Sequence, residues 1–318
     1  MFHEVRWAHQ RIAAPYFSGC LRATIATQER GVSMQPRSER TTGIGRRAVL
    51  LTCALPPLWG WQRSRAAQPT ALLTIVDGEA VVTDGARRLH AAPGLALAAG
   101  ALIDTAANAT LVRIEWADGT LVDLGPGTRA MVSPPNFRVR SGQTPALYLL
   151  QGWAKLTGHT AAPSGGLVAP HLDLLPVAGS AVAWVGPPAD HVFAETGVLR
   201  VLVRPGGASH SLGQGALYSS DSGVAARPPA DWLKRVPRAF RDAIPSRAAL
   251  AQTRAADASV LSPPTYEDLG AWLDAEPDLR RDFPRRFASL AHDPAFRKAL
   301  LARLSAHPEW GPVLNPVR

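Results

Sequence analysis

The stretch that decides the fold reads Ala109-Thr-Leu-Val-Arg-Ile-Glu-Trp-Ala-Asp-Gly-Thr-Leu-Val-Asp-Leu124. Its first half alternates in a way that places successive side chains on opposite faces of a β-strand. One face receives Leu111, Arg113 and Glu115, and the other receives Val112, Ile114 and Trp116. The following Asp-Gly pair predicts a tight hairpin turn, because glycine accepts the positive φ that such turns require. Leu121–Leu124 is expected to return as the second strand.

Short segments of the same kind lie on both sides of this hairpin. Turns rich in glycine and proline separate them, and the chain shows neither a sustained helical period nor a fixed repeat. Strands are predicted at Leu72–Val82, Ala146–Thr157, Gly166–Leu174, Ser180–Val185, His191–Glu195, Val198–Val203 and Ser209–Leu217. We therefore expect residues 68–221 to form a mainly β domain, built as a sandwich, a barrel or a solenoid-like stack.

The chain changes character at residues 222–231, which are rich in Ser, Gly, Ala and Pro and are predicted to be a linker. Residues 232–318 lose the β-type alternation and are expected to form a small α-helical region. Asp293 and Pro294 fit the N-cap and the first position of a helix, and Thr265 begins a capping-box pattern. Because such helices are too short to be stable alone, we expect them to pack against each other or against the β domain.

Residues 1–67 read as an export leader. The basic pair Arg46-Arg47 precedes an apolar run of about 14 residues, and small residues up to Ala67 follow it. This is the layout of a secretory signal with its cleavage site. The run contains two prolines and is shorter than the roughly 20 residues that a membrane-spanning helix needs, which favours a cleaved signal over an anchor.

Residues 1–33 fit no signal layout. Signals begin within a few residues of a protein's start, so we expect translation to begin at Met34 and residues 34–67 to be the signal peptide. Export by the Sec route and by the twin-arginine route both stay open, because the arginine pair lacks the usual Ser or Thr before it. Cys53 is an alternative site of lipid attachment. The mature chain is expected in the periplasm and meets the membrane only during export, unless the signal is retained.

The net charge of +9 is concentrated in the leader. Residues 1–67 hold ten of the 34 basic residues and three of the 25 acidic ones, so the remainder, with 24 basic and 22 acidic residues, is close to neutral. A phosphate-binding protein needs a clustered basic surface, so we expect no nucleic-acid partner. Both cysteines, Cys20 and Cys53, also lie in the leader, which leaves no thiol in the mature chain for a disulfide, a nucleophile or a metal site.

The stretch Leu73–Asp221 resembles the FecR family in the order of its elements. The matching segments are Val76–Val82, Pro93–Thr105, Ala109–Leu124, Leu149–Leu156, Glu195–Val201 and Leu212–Ala216. The resemblance implies a periplasmic β-domain that receives contacts from proteins or from the envelope. Typical members also carry a helical cytoplasmic segment that binds a sigma factor. This sequence has no such segment before its apolar run, so we do not extend sigma-factor regulation to it.

Candidate chemistry is sparse. His171 and Asp173 lie two residues apart on one predicted strand, and His159, His191 and His210 are candidates to join them. No complete ligand set is evident, and we expect neither a metal nor a cofactor. The acidic candidates for glycoside hydrolysis are Asp104, Asp118 and Asp123, for which turn capping and solvation are the favoured roles. We therefore predict that the chain is not an enzyme.

Three tryptophans, Trp116, Trp153 and Trp184, are the candidates for a face that binds a partner or a glycan, although tryptophan in a β domain is commonly part of the core. Arg280-Arg281 and Arg285-Arg286 form a candidate docking patch, and salt bridges to Asp278 and Asp282 on a solvated helix face are the default. We expect a non-catalytic interaction or signalling-accessory module of the envelope, whose partner is an envelope protein or peptidoglycan. The alternatives are a peptidoglycan-binding protein or hydrolase, and a membrane- or lipid-anchored regulator.

Overall fold

Alternating strands build the body of the protein. The computed structural model describes residues 71–138, 142, 144–158, 165–175, 178–253 and 256–315. The strands are β1 (Ala71–Asp77), β2 (Ala80–Asp84), β3 (Arg87–His90), β4 (Ala96–Leu97), β5 (Leu102–Thr105), β6 (Leu111–Trp116), β7 (Leu121–Leu124), β8 (Arg129–Val132), β9 (Leu147–Gly158), β10 (Leu167–Val168), β11 (Leu172–Leu174), β12 (Gly179–Val185), β13 (His191–Thr196), β14 (Leu199–Val203), β15 (Ser209–Leu212), β16 (Leu217–Ser219) and β17 (Gly223–Ala225). Short helices follow them, so the predicted mainly β fold with a small C-terminal helical region is confirmed.

The strands pair in two layers that share β9. Layer 1 has the order β4–β1–β6–β7–β9–β12–β13–β16–β17. Layer 2 has the order β3–β2–β5–β8–β9–β10–β11–β14–β15. The pairing of β9 with β10 is parallel, and the other pairings of the described strands are antiparallel. The chain passes repeatedly between the layers, and its inner side chains are buried between them.

The inner faces of both layers share one hydrophobic cluster. Val112 and Ile114 of β6 are fully buried in it, together with Ile103 of β5 and Leu147 of β9. Of the two faces that the alternation of the central hairpin separates, the one with Val112 and Ile114 is therefore the core face. Trp116 is partly buried and packs against the same cluster, as its position on that face predicts.

Strand β9 crosses from layer 2 to layer 1 at Gly152. Its first part pairs with β8 up to Gln151, and its second part pairs with β12 from Gly152 onward. Gly152 has a φ of +97°, and a Cβ placed there would lie 2.5 Å from Cα of Thr128. Glycine is therefore required by both the backbone conformation and the close approach of the neighbouring chain.

Seven short α-helices and three turns of 3₁₀-helix follow in the described chain. The α-helices are α1 (Ala230–Arg235), α2 (Ala248–Gln252), α3 (Tyr266–Leu273), α4 (Pro277–Arg280), α5 (Phe283–Arg286), α6 (Pro294–Ala302) and α7 (Gly311–Leu314), and the 3₁₀ turns are Arg238–Arg241, Ala288–His292 and Pro308–Trp310. Both predicted helix starts are confirmed. Thr265 forms the capping box of α3, and Asp293 accepts the backbone N–H of Phe296 at the start of α6, with Pro294 at its first position.

These helices cover the two outer faces of the β body. Residues 230–252, which we call the strap, lie on layer 1, and residues 266–314, which we call the cap, lie on layer 2. Between them the chain passes the edge strand β3, where the His90 N–H donates to the carbonyl of Ser259 at 2.9 Å and the Leu261 N–H donates to that of Arg88 at 2.8 Å. The short helices are thus stabilised by packing on the body and not by their own propensity.

The predicted linker is partly structured. Strand β17 takes up residues 223–225 and pairs with β16, and α1 begins at Ala230. The leader lies outside the described residues. Within the described ranges, no helix is both long enough and apolar enough to cross a bilayer.

Candidate interaction face

The outer face of layer 1 carries a row of opposite charges on adjacent strands. Arg113 on β6 is the register partner of Asp123 on β7, which is the register partner of Lys155 on β9. We call these three residues the charge ladder. Arg113 holds Asp123 through two contacts, Nε to Oδ1 at 2.6 Å and Nη2 to Oδ2 at 2.8 Å, and Lys155 Nζ lies 2.7 Å from a carboxylate oxygen of Glu195 on β13. All three side chains of the ladder are buried, which requires such pairing.

The ladder is buried because the strap lies over it. Arg113 Nη1 donates to the carbonyl of Ile244 at 2.6 Å and to that of Pro245 at 3.3 Å. Lys155 Nζ donates to the carbonyl of Phe240 at 2.6 Å. The cations of the sheet therefore bind the main chain of the strap.

Glu115 binds the main chain of the strap with the opposite polarity. It lies two residues beyond Arg113 on the same face of β6, and its carboxylate accepts the N–H groups of Arg247 at 2.9 Å and Ala248 at 3.2 Å. It also accepts the hydroxyls of Thr74, at 2.7 Å, and Ser246. Burial alone would raise the pKa of Glu115, but these hydrogen bonds outweigh it and hold the pKa below its ordinary value. The face thus binds two N–H groups of the strap through a carboxylate. It binds carbonyl oxygens of the strap through two cations.

An aromatic cluster lies beside the charges on the same face. Trp153 and Trp184 are register partners on β9 and β12, and their rings lie 4.9 Å apart between centroids. Trp232 of the strap packs on Trp153 at 6.0 Å, and the guanidinium of Arg235 lies 5.4 Å from the ring centre of Trp184. Trp153 and Trp232 are buried, and Trp184 is half-buried. A helix of the chain itself therefore covers these rings.

The structure does not bring the three predicted tryptophans together on one face. Trp116 packs with the core between the layers and its indole N–H donates to Ser133 Oγ at 3.2 Å, whereas Trp153 and Trp184 lie on the outer face of layer 1. A binding role for these residues stays a prediction.

The strap leaves part of the layer 1 face unfilled. A cavity of about 490 Å³ lies beside it and is lined mainly by apolar side chains of the sheet and the strap. Val182 and Phe193 form the floor, Leu233 and Phe240 form the strap side, and Glu195 adds a carboxylate to the lining.

The three predicted aspartates lie in different surroundings. Asp118 accepts the N–H of Thr120 at 2.8 Å and caps the hairpin turn, as the favoured interpretation predicts. Asp123 belongs to the charge ladder. Asp104 lies on the layer 2 side, where burial raises its pKa to about 6 although the charge of Arg129, 3.3 Å away, opposes the shift.

The predicted histidines likewise have separate neighbours. His171 Nδ1 lies 3.0 Å from a carboxylate oxygen of Asp190, which also accepts the N–H of Gly186 and so holds a turn. Asp173 lies 3.6 Å from Arg204. His191 packs near Trp232 and His210 packs against Tyr218, while His159 lies outside the described residues. Of the residues that the structure describes, no three or more His, Cys, Asp or Glu side chains are grouped so as to hold a metal ion.

The four predicted arginines of the cap divide into two kinds. Arg281 and Arg285 are exposed and pair with Asp278 and Asp282, as the solvated-face interpretation predicts. Arg280 is largely buried and binds Glu309 at 3.2 Å.

Arg286 is also largely buried, and its guanidinium donates to the carbonyl of Gly100 in the β body. Arg280 and Arg286 therefore hold the cap together and fix it to the body, so the solvated-face interpretation is wrong for these two. Periodicity placed them on a helix and gave no sign of what would cover them.

Sequence reasoning missed the contacts of Glu115 and the covering role of Trp232. A signal for both was present in the apolar residues that alternate with the core positions of several strands. Leu111, Trp153, Val182 and Leu217 all point outward and form one buried cluster with Trp232 and Phe240. Apolar residues on the outer face of several neighbouring strands indicate that another segment covers them.

Comparison with known proteins finds partial structural likeness only. No family model matches the chain, and no curated protein matches it. Two crystal structures described as a "putative anti-sigma factor" from Parabacteroides distasonis ATCC 8503 are similar, with TM-scores of 0.31 and 0.30 and sequence identities of 17% and 16%. Each match covers 39% of this chain and 57% of the other chain, so the likeness spans a part of each protein.

Proposed function

We propose that the chain is an exported, non-catalytic interaction module of the bacterial envelope, a FecR-like domain that serves as a signalling accessory. The observation that carries the proposal is the way the outer face of layer 1 holds a polypeptide. Arg113, Lys155 and Glu115 are buried charged groups, and all three bind main-chain atoms of the strap. A body that binds the main chain of a covering segment in this way suits an envelope protein as its partner.

The state of Asp118, Asp123 and Glu115 supports a non-catalytic role for these three residues. A catalytic carboxylate must reach a substrate, but Asp123 is held by Arg113 at two points and Glu115 by four hydrogen-bond donors, all beneath the strap. Asp118 is committed to its turn. These groups stabilise the fold, and we propose no catalytic role for them.

The sequence supports the proposed location. The basic pair Arg46-Arg47, the short apolar run and the small residues up to Ala67 predict export to the periplasm, and the order of segments within Leu73–Asp221 resembles the FecR family. Both inferences concern the mature chain after removal of its leader.

Export is tested by expressing the full gene with a C-terminal tag, fractionating the cells and sequencing the N-terminus of the product. We expect a periplasmic product that starts near Gln68. The double variant Arg46→Lys and Arg47→Lys separates the routes, because only the twin-arginine route requires both arginines. A cytosolic product with an intact N-terminus overturns the proposal, and a product in the membrane pellet that resists salt extraction supports the anchored regulator instead.

Partner binding is tested by affinity capture of the tagged mature protein from envelope extract. We expect a protein partner that is retained in moderate salt. A parallel pelleting assay with purified peptidoglycan addresses the glycan alternative, and the variant Trp184→Ala serves there because Trp184 is half-buried whereas Trp153 is covered. If the wild type pellets with peptidoglycan and Trp184→Ala does not, glycan binding would replace the protein-binding proposal.

A further inference from the structure

The two outer faces of the β body are covered in different ways. The cap and layer 2 bury 17 apolar side chains in one cluster, twelve of them from the cap, whereas the strap and layer 1 bury six in theirs, two of them from the strap. Six further apolar side chains are partly buried in the layer 1 contact, and three ionised side chains, Arg113, Lys155 and Glu115, bind main-chain atoms of the strap. The strap is therefore held by much less apolar burial than the cap.

This difference makes the strap the more easily released of the two covers. Burying an ion pair adds little net stability, because the loss of hydration offsets the attraction. When the strap leaves, six buried apolar side chains are exposed, but water can hydrate the charge ladder again and offset part of that cost, whereas release of the cap would expose a cluster of 17. The helices of the strap have six residues or fewer and are not stable alone, so the strap is expected to detach as an unfolded segment.

The contacts of the strap define what the face recognises. Its carbonyls at Phe240, Ile244 and Pro245 and its N–H groups at Arg247 and Ala248 make the polar contacts. Carbonyl and N–H groups occur in almost any polypeptide, so this half of the face recognises main-chain groups and not a particular sequence.

Side-chain selectivity comes from the apolar half of the face. Trp232 and Phe240 are buried against the cluster formed by Trp153, Val182 and Leu217. The cavity of about 490 Å³ beside these anchors leaves room for larger or additional side chains. The matching ligand therefore has aromatic anchors in short helical turns, followed by a segment whose main chain is free to bind the charged side chains.

We propose that the outer face of layer 1 is a binding site for an aromatic-anchored segment of a partner protein, and that the strap occupies this site in cis until the partner segment displaces it. The inference rests on the proposed function of protein binding and adds the face, the chemistry of the ligand and the means of regulation. A tethered strap competes at a high effective concentration, so a free segment binds weakly until the strap is loosened.

The probe is a fluorescent synthetic peptide with the sequence of residues 230–248 of this chain, titrated against the purified full chain. Trp232→Ala with Phe240→Ala in the protein weakens the strap but leaves the sheet unchanged. We expect the peptide to bind this variant at least about tenfold more tightly than the wild type. Adding Glu115→Gln should reverse most of that gain, because the amide accepts the peptide N–H groups less well than the carboxylate does.

A matched control weakens the other cover. Leu300→Ala removes a fully buried side chain of the cap and lowers global stability without touching the strap. This variant should bind the peptide no better than the wild type does. Equal binding to the wild type and the strap variant, or tighter binding to Leu300→Ala than to the wild type, would overturn the proposal.

Hydrogen exchange on the wild type supplies a test that needs no variant. The amides of Arg247 and Ala248, which donate to Glu115, should exchange through an opening that costs less free energy than the opening of amides in β6 or α6. Equal protection of all these amides would mean that the strap opens only with global unfolding and would refute its release. Neither measurement depends on export or on an envelope partner, so its failure is distinguishable from failure of the proposed function.

Discussion

Arg113 and Asp123 face each other across β6 and β7 in a doubly bonded ion pair whose side chains are 4% and 5% exposed. The pair lies between the sheet and the strap. Nη1 of Arg113, which does not bind Asp123, donates to the strap carbonyls. One ion pair therefore fixes the register of two strands and also supports the cover above them. Loss of the pair should therefore destabilise both the strand pairing and the strap.

Removing one partner of this pair is predicted to be costly. Asp123→Ala leaves the guanidinium of Arg113 buried without its counter-ion, and we expect a loss of about 3–5 kcal/mol in the free energy of unfolding. Urea denaturation of the purified variant measures this. The exposed pair of Lys234 with Asp231 is the control, since Asp231→Asn should cost less than about 0.5 kcal/mol. A small loss for Asp123→Ala would mean that water reaches Arg113 and that the strap does not seal this face.

The crossing of β9 between the layers predicts a second large effect. Gly152→Ala would place a methyl group 2.5 Å from Cα of Thr128 and force a side chain into a positive φ. We expect a loss of about 3 kcal/mol or more by urea denaturation, because the clash is with backbone that cannot move away. Gly213→Ala is the matched control, as that position is open, and it should change stability little. Similar effects at the two positions would show that the layer crossing tolerates a side chain.

The central hairpin shows how far the sequence determines the fold. The alternation correctly separated Val112 and Ile114 from Arg113 and Glu115, and the structure shows that the face with Val112 and Ile114 is core. It could not show that the charged face is buried as well, because the cover comes from Ile244, which lies 131 residues away from Arg113 in the chain. Long-range pairing of this kind leaves no local period.

Short strands were the other limit of sequence reasoning. β3 carries Arg87 and Arg88 and β4 has only two residues, so neither shows an apolar alternation, although both are paired in the structure. Pairing with a neighbouring strand stabilises such segments and their own residues do not. Sequence reasoning about the candidate tryptophans was limited in a related way. The alternation that puts Trp153 and Trp184 on one face cannot reveal that Trp232 lies over them.

The buried His307 predicts a loss of stability in mild acid. Its ring is fully buried, with Nε2 2.9 Å from the hydroxyl of Tyr266 and Nδ1 3.0 Å from Arg280 Nη1. Burial and the positive charge of Arg280 lower the pKa of His307 below the ordinary 6.5. The unfolded chain therefore binds a proton more readily, so this contribution is present above pH 6.5 and is lost as the pH falls below it.

Thermal unfolding between pH 5 and 8 measures this contribution. The variant His307→Asn should be less stable than the wild type at pH 8, because it loses packing, but its midpoint should fall less on acidification. His292→Asn, at an exposed position, is the control and should keep the wild-type slope. An unchanged slope in His307→Asn would contradict a neutral buried ring.

Asp104 predicts a pH effect of the opposite sign. Burial raises the pKa of its carboxyl from 3.8 to about 6, with Arg129 opposing the shift, so the folded chain holds the proton more tightly than the unfolded chain does. Stability from this residue is complete below the unfolded value and is lost as the pH rises through about 6.

Asp104→Asn mimics the protonated form at every pH. Relative to the wild type, the variant should gain about 2 kcal/mol in the free energy of unfolding between pH 4 and 8, a figure reduced from the full shift because the side chain is 30% exposed. Comparing one variant at two pH values removes the constant loss of its contact with Arg129. Chemical denaturation at both pH values gives the difference directly. If the variant instead gained stability relative to the wild type toward low pH, Asp104 would be an ordinary surface carboxylate stabilised by Arg129.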